Sequence, residues 1–416
     1  MSSVTLTSID QIVKNGMKAR AFPGCQVLVM KDGKLVYEKC FGNYTYEKAQ
    51  KVTPATMYDL ASLSKTTGTL LAVMKLYDTG KLKLTDKASG YLTFLRGTDK
   101  ENITITELLF HESGLPAYLP LHRLVNEKNN TRSLFTSTKD SASTVRMDEN
   151  RVVGTAFQNK EDWVTKIRSI EFTSQVSDSF YVNNRGHKAA MQMIANTPLK
   201  SKTYLYSCVN FILLKEIIET VSGTPMDVFL DREFYQRLKL NNMAYLPLRM
   251  HKKEEIAPTV KTRYPRNGVI QGIVYDPDAA FLGGVSGNAG LFATARDVAT
   301  VYQMLLNEGE LDGKRYLSAE TCKLFTMTTS ASGRRGLGFD KPVPSYPKHS
   351  PCCISAPSAV YGHTGYTGTS CWVDPVNSLV YVFLSNRTYP NDGVNKLAKM
   401  DIRTRIQEVI YQSMKK

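Results

Sequence analysis

Ser62 and Lys65 stand three residues apart, where an apolar stretch begins that carries Leu70, Leu71, Val73, Met74 and Tyr77 at helical spacing. The pattern predicts a largely buried helix that starts at Ser62. Residues three apart share a helix face, so the Lys65 amine can reach the Ser62 hydroxyl. Serine also caps helices, but a lysine in the first turn opposes the positive end of the helix dipole, which fits capping badly. Burial lowers a lysine's pKa, and a deprotonated amine could take the Ser62 proton while the helix end steadies the alkoxide. On this pattern alone capping and catalysis stand level.

A serine nucleophile needs a proton partner and backbone donors for an oxyanion. Tyr206, Ser207 and Cys208 precede a second apolar helical run, and His363, Thr364 and Gly365 open a β-rich run where Gly365 and Gly368 allow close backbone approach. Taken singly, Tyr206 reads as a packed aromatic and His363 as a strand-edge histidine. In this order, however, the three elements resemble the active-site motifs of the serine β-lactamase and penicillin-binding protein superfamily. The likeness is to its class C β-lactamase, D-Ala-D-Ala peptidase and family VIII carboxylesterase branch, Bacteroidetes members included. Stretches 108–116, 272–299, 336–340 and 382–387 are similar to segments of that branch.

The resemblance implies Ser62 as nucleophile, with Lys65 and Tyr206 sharing its proton. Cys208, His363, Thr364, Gly365 and Tyr366 would bind substrate, the Tyr366 N–H serving with that of Ser62 as oxyanion donors. No cofactor or metal is implied. His363 stands where many members carry lysine, which implies a relaxed demand for a substrate carboxylate. Cys208 stands where asparagine is common and offers little hydrogen bonding, which implies weak β-lactam hydrolysis. Tyr275 occupies the place of a histidine, and His111 reads as structural.

The elements that position these groups are legible in outline. With 416 residues, 42% of them hydrophobic, the chain can bury one large core or two joined domains. A net charge of +15 is dispersed without an aromatic-interleaved basic run, so nucleic acid is not an expected partner, although a diffuse positive field could draw in carboxylate-bearing substrates. Seven cysteines and six histidines show no metal-site spacing. There is no apolar leader and no membrane-length apolar run; the resemblance implies a periplasmic or extracytoplasmic location, with any export signal removed.

Hairpin signals lie near both chain ends, around Asp32-Gly33 and Asp374-Pro375, and a helix is expected from about Asp401. They predict an α/β (α+β) fold, β-lactamase/transpeptidase-like: residues 1–85 and 272–416 form an antiparallel sheet flanked by helices. Residues 86–271 form an inserted, mostly helical lobe with a polar excursion at about 117–199. Its most polar part, 132–159, reads as a surface excursion or lid. The function expected is serine hydrolysis through an acyl-enzyme, on a D-Ala-D-Ala peptide, another peptidoglycan fragment, a β-lactam or a small ester. The alternative is a slowly deacylating penicillin-binding or sensor module.

Overall fold

Asp32 and Gly33 both adopt positive φ (52° and 71°), the twist that folds β1 (Gly24–Lys31) tightly back on β2 (Lys34–Gly42). The computed structural model describes the chain except residues 48–49, 126–134, 137–144, 147–151, 154–159, 179, 263–265, 267, 345–349 and 416. Near the other end, β3 (Tyr361–Gly365), β4 (Thr369–Asp374) and β5 (Leu379–Ser385) follow one another antiparallel. Strand β5 pairs with β1 from Cys25↔Ser385 to Lys31↔Leu379, so the two chain ends share one sheet of order β3-β4-β5-β1-β2. The β4–β5 turn is held by Asp374, whose carboxylate accepts from the Val376 and Asn377 N–H groups (2.8 and 3.1 Å).

The principal helices are α1 (Ser8–Lys18), α2 (Leu70–Asp78), α3 (Cys208–Ser222), α4 (Ala295–Leu306), α5 (Ala319–Met327) and α6 (Ile402–Gln412). Every residue of β5 is buried, because helices cover both faces of the sheet. Val27, Val29, Tyr381 and Phe383 join Ile9, Val13, Ile402 and Ile406 from α1 and α6 on one side. Leu28, Val380, Val382 and Leu384 join Val298, Val301 and Leu305 of α4 on the other, in the cluster that also holds α2 and α3. The split follows the period-two alternation of strand side chains.

Within the expected polar excursion, Val164–Thr165, Ser174–Ser177 and Phe180–Val182 form a small sheet, followed by a helix at Arg185–Asn196. The lid expected over 132–159 lies largely outside the described residues. Among the described residues, no helix is long and apolar enough to cross a membrane. Short strands at Ala244–Tyr245, Leu291–Ala293 and Tyr58–Asp59 stitch the middle of the chain to both end segments.

The predicted helix start at Ser62 is not regular. Ala61–Leu63 is a 3-10 turn entered with Ala61 at φ 48°, Lys65–Thr69 is a π turn, and α-helix begins only at Leu70. Side-chain anchors explain the widening: Thr66 Oγ1 bonds Tyr302 OH (2.7 Å), and Thr69 Oγ1 donates to Gly287 O (2.8 Å). Such turns recur at functional sites because they re-aim side chains. The β3–β4 hairpin is strapped to this turn, with Thr367 Oγ1 donating to Asp59 O (2.7 Å) and Thr369 Oγ1, at the start of β4, to Leu60 O (2.8 Å). A Cβ at Gly365 would meet Thr369 Oγ1 at 2.0 Å and Leu60 O at 2.3 Å. Gly365→Ala should therefore cost roughly 1–3 kcal/mol of stability in urea unfolding by pushing β3 off the turn. Its hydrolytic rate should fall further than the folded fraction does.

Candidate active site

The Lys65 side chain is fully buried, and its ammonium has three N–H donors to satisfy. It meets three acceptors: Ser62 Oγ at 3.0 Å, Asn288 O at 2.9 Å and Cys208 Sγ at 3.6 Å. Burial alone would pull the amine down, as expected from the sequence. Cys208 and Tyr206, however, outweigh it and hold Lys65 above the ordinary lysine range. The expectation of a lysine neutralised by desolvation is thus corrected: Lys65 rests as a cation because the groups around it favour the charged form.

Tyr206 stands beside this pair, its ring 5.1 Å from Lys65 Nζ. Burial pushes its phenol above the ordinary range, against the pull of the Lys65 charge and of hydrogen bonding to Lys65 and Ser62. His111 fixes the segment that carries it. Its left-handed backbone (φ 59°) ends the helix Ile105–Phe110, its carbonyl accepts from Leu205 N (2.9 Å), and its Nδ1 accepts from Ser207 N (3.0 Å). Cys208 N then donates to Ala117 O (3.0 Å), which leaves its thiol turned to Lys65 at the start of α3. His111, read from the sequence as a structural histidine in a segment similar to one that shapes the cleft wall, stands with its ring 4.7 Å from that of Tyr206.

On the other wall, β3 brings His363, Thr364, Gly365 and Tyr366 to the same cleft as Ser62 and Tyr206. His363 is 3% exposed and its Nδ1 donates to Thr364 O (2.6 Å), leaving Nε2 a buried acceptor without a protein partner. Burial, then Arg335, depresses its pKa to about 3, so the ring is neutral. Tyr366 is half-exposed and stacks on Tyr275 at 5.6 Å. Tyr275 in turn donates its N–H to Asp59 (2.6 Å) and its hydroxyl to Asp392, which gives this departure from the family pattern a positioning part.

The sequence reading missed the arginines. Arg334, Arg335, Arg387 and Arg403 all line this cleft of about 420 Å³. Asp340, the carboxylate among the lining residues, is already taken by Arg334 (2.5 Å) and the fully buried Arg335 (3.0 Å). Arg387 and Arg403 each place a donor on a backbone carbonyl, Tyr366 O and Thr369 O, both at 2.8 Å. Positive charge is thus supplied to the cleft from outside β3. Arg334 and Arg335 adjoin the 336–340 stretch and Arg387 ends the 382–387 stretch, but their convergence is tertiary.

A model of the family described as Beta-lactamase matches residues 9–403. The chain belongs to the Beta-lactamase family. It is a serine hydrolase of that family, with the family's mixed helices and antiparallel sheets. It is 29% identical over 412 residues to a putative D-alanyl-D-alanine carboxypeptidase of Escherichia coli O157:H7, covering 92% of this chain and 82% of that protein. It is 28% identical over 418 residues to an N-acetylmuramyl-L-alanine amidase of Bacillus subtilis (strain 168), covering 93% and 82%. Among solved structures, EstCE1, a hydrolase with promiscuous acyltransferase activity, superposes with a TM-score of 0.67 at 18% identity over 98% of both chains.

In this Beta-lactamase-family cleft the depressed His363 pKa has a measurable sign. The unfolded chain takes up a proton below about pH 6.5, where the folded protein, at about 3, does not. The neutral ring therefore contributes stability that is complete above pH 6.5 and is lost as pH falls towards 3. Urea unfolding should show wild type losing about 1.4 kcal/mol per pH unit more than His363→Asn between pH 6 and 4. Parallel curves for the two proteins would place His363 in contact with solvent.

Proposed function

We propose that the protein hydrolyses an amide or ester bond close to a substrate carboxylate, of the kind peptidoglycan stem peptides present, through an acyl-Ser62 intermediate. The observation that carries this reading is the Lys65 ammonium 3.0 Å from Ser62 Oγ in a cleft walled by four arginines. The relatives' names, a carboxypeptidase and an amidase, both denote hydrolysis of an amide bond.

In the proposed mechanism Ser62 Oγ attacks the carbonyl carbon and its proton passes to the Lys65–Tyr206 pair. The pair can accept it only when one proton short, as cation beside phenolate or amine beside phenol, so the base is a property of the pair. The Ser62 and Tyr366 N–H groups receive the oxyanion, where fixed donors act on charge that develops in the transition state. Collapse expels the amine or alcohol with a proton from the pair, and water then attacks the ester by the same route. Arg334 and Arg335 on one wall, or Arg387 and Arg403 on the other, hold the carboxylate by charge-assisted bonds.

A fluorophosphonate should add once, at Ser62, and not at all to Ser62→Ala, whose turnover should drop at least about 1,000-fold. An adduct that survives the substitution sinks the mechanism. Lys65→Ala and Tyr206→Phe should each be severe and the double variant scarcely worse, as expected of groups acting as a unit. A label that stays on Ser62 after treatment with peptide or ester, without product release, would instead identify the slowly deacylating module.

The carboxylate claim is separable. A peptide with a free C-terminal carboxylate should be cleaved with at least tenfold higher kcat/KM than its C-terminal amide. Arg334→Ala or Arg387→Ala should erase that preference, a loss on the scale of about 1.5–3 kcal/mol for hydrogen bonds to charged groups. Equal rates on both peptides would remove the arginines from substrate recognition. Because Cys208 lacks an amide, p-nitrophenyl acetate should be turned over faster than nitrocefin.

A further inference from the structure

A second cavity, of about 510 Å³, lies between the end of α4, helix α5 and the outer edge of the sheet, and shares no lining residue with the catalytic cleft. Leu305, Leu306, Met327, Ala359, Tyr361 and Val376 give it apolar walls. Met327 and Val376 stand at 70% and 67% exposure, so apolar surface is left open to solvent there.

Lys341 lines this cavity at 4% exposure. Lysines are almost never so buried unless a carboxylate accompanies them. Among the described residues none lies within ion-pair distance of Lys341. Its neighbour Asp340 is engaged by Arg334 and Arg335, and Glu308, at the same cavity, is engaged by Lys323 at 3.1 Å. Burial is the one influence on its amine, which it pushes below the ordinary lysine range. The stem passes against Gly336, where a Cβ would stand 3.2 Å from Lys341 Cε. The fold thus makes room for a cation and supplies it with no counter-charge.

We infer that this cavity binds an apolar monocarboxylate, with the carboxylate on Lys341 and the hydrocarbon chain along Leu305, Leu306 and Met327 towards Val376. A single ammonium without an ion-pair partner in a cavity with apolar walls complements one negative charge, whereas a phosphate would require further donors. The cavity is of the size that small-molecule sites usually have. Since Asp340 and Lys341 are consecutive, the site backs directly onto the arginine wall of the catalytic cleft.

The probe is decanoate, titrated into the full-length protein by calorimetry. Decanoate should bind at one site with micromolar to sub-millimolar affinity, and Ser62→Ala should bind it equally well. Methyl decanoate, which lacks the charge, should bind at least tenfold more weakly when titrated into Ser62→Ala, where it is not hydrolysed to decanoate. Lys341→Met should lose at least tenfold in affinity. Val376→Asp, a change at an exposed rim position that leaves the core untouched, should do the same and keeps the test open if Lys341→Met fails to fold. Unchanged affinity in Val376→Asp, loss of binding after fluorophosphonate labelling of Ser62, or no binding below millimolar decanoate would each overturn the proposal.

Discussion

The three hydrogen bonds of the Lys65 ammonium constrain everything else at this site. An uncompensated buried charge costs several kcal/mol, so the fold must bring acceptors to Nζ or expel it. The acceptors come from residues 62, 208 and 288, three distant parts of the chain. The 3-10 turn, the start of α3 and the loop before Leu291–Ala293 are obliged to meet at one point. Gly287 shows how tight that meeting is, since a Cβ there would come within 1.8 Å of Phe211 O on α3. Only without that carbon can the loop lie close enough for Asn288 O to reach the lysine.

Once Lys65 is fixed as a cation, its field shapes the groups around it. His111 and His363 flank the Tyr206 ring at 4.7 and 5.9 Å, and both have pKa values depressed first by burial and then by Arg335, with Lys65 contributing. Tyr206 is therefore held between two neutral imidazoles. In the proposed mechanism neither would compete with it for the Ser62 proton near neutral pH. The Lys65 charge also opposes the rise that burial imposes on the Tyr206 phenol, the acid that would give up its proton in the proposed mechanism.

What the sequence made legible was local. Ser62 and Lys65 share a helical face whatever the turn type, the Asp32-Gly33 hairpin is set by two adjacent residues, and the near-continuous apolar runs of β1 and β5 mark the sheet from within each strand. The π turn was not legible, because it depends on Thr66 and Thr69 finding partners at Tyr302 and Gly287, more than 200 residues away. The resting charge of Lys65 was misjudged for a related reason. Desolvation can be argued from an apolar run, but the opposing influences of Cys208 and Tyr206 exist only when α3 is in place. The arginine wall is the extreme case, assembled from residues 334, 335, 387 and 403 with no shared pattern.

The histidine at 363 becomes intelligible in this setting. Lysine at that position in many relatives would supply a fixed charge from the strand itself. Here the position is 3% exposed, and Arg335 and Lys65 already oppose protonation of the resident ring. A third buried cation would face two others, with Asp340 shared between Arg334 and Arg335 and unable to balance it. A neutral residue at 363 and a guanidinium at 335 are thus two halves of one arrangement. Moving the charge off β3 leaves the strand free to close on the Leu60–Leu63 turn, while the cleft keeps its positive potential. In the proposed reading a substrate carboxylate would be met by planar, two-pronged guanidinium donors in place of a point charge, and orientation would gain where a lysine would have offered attraction alone.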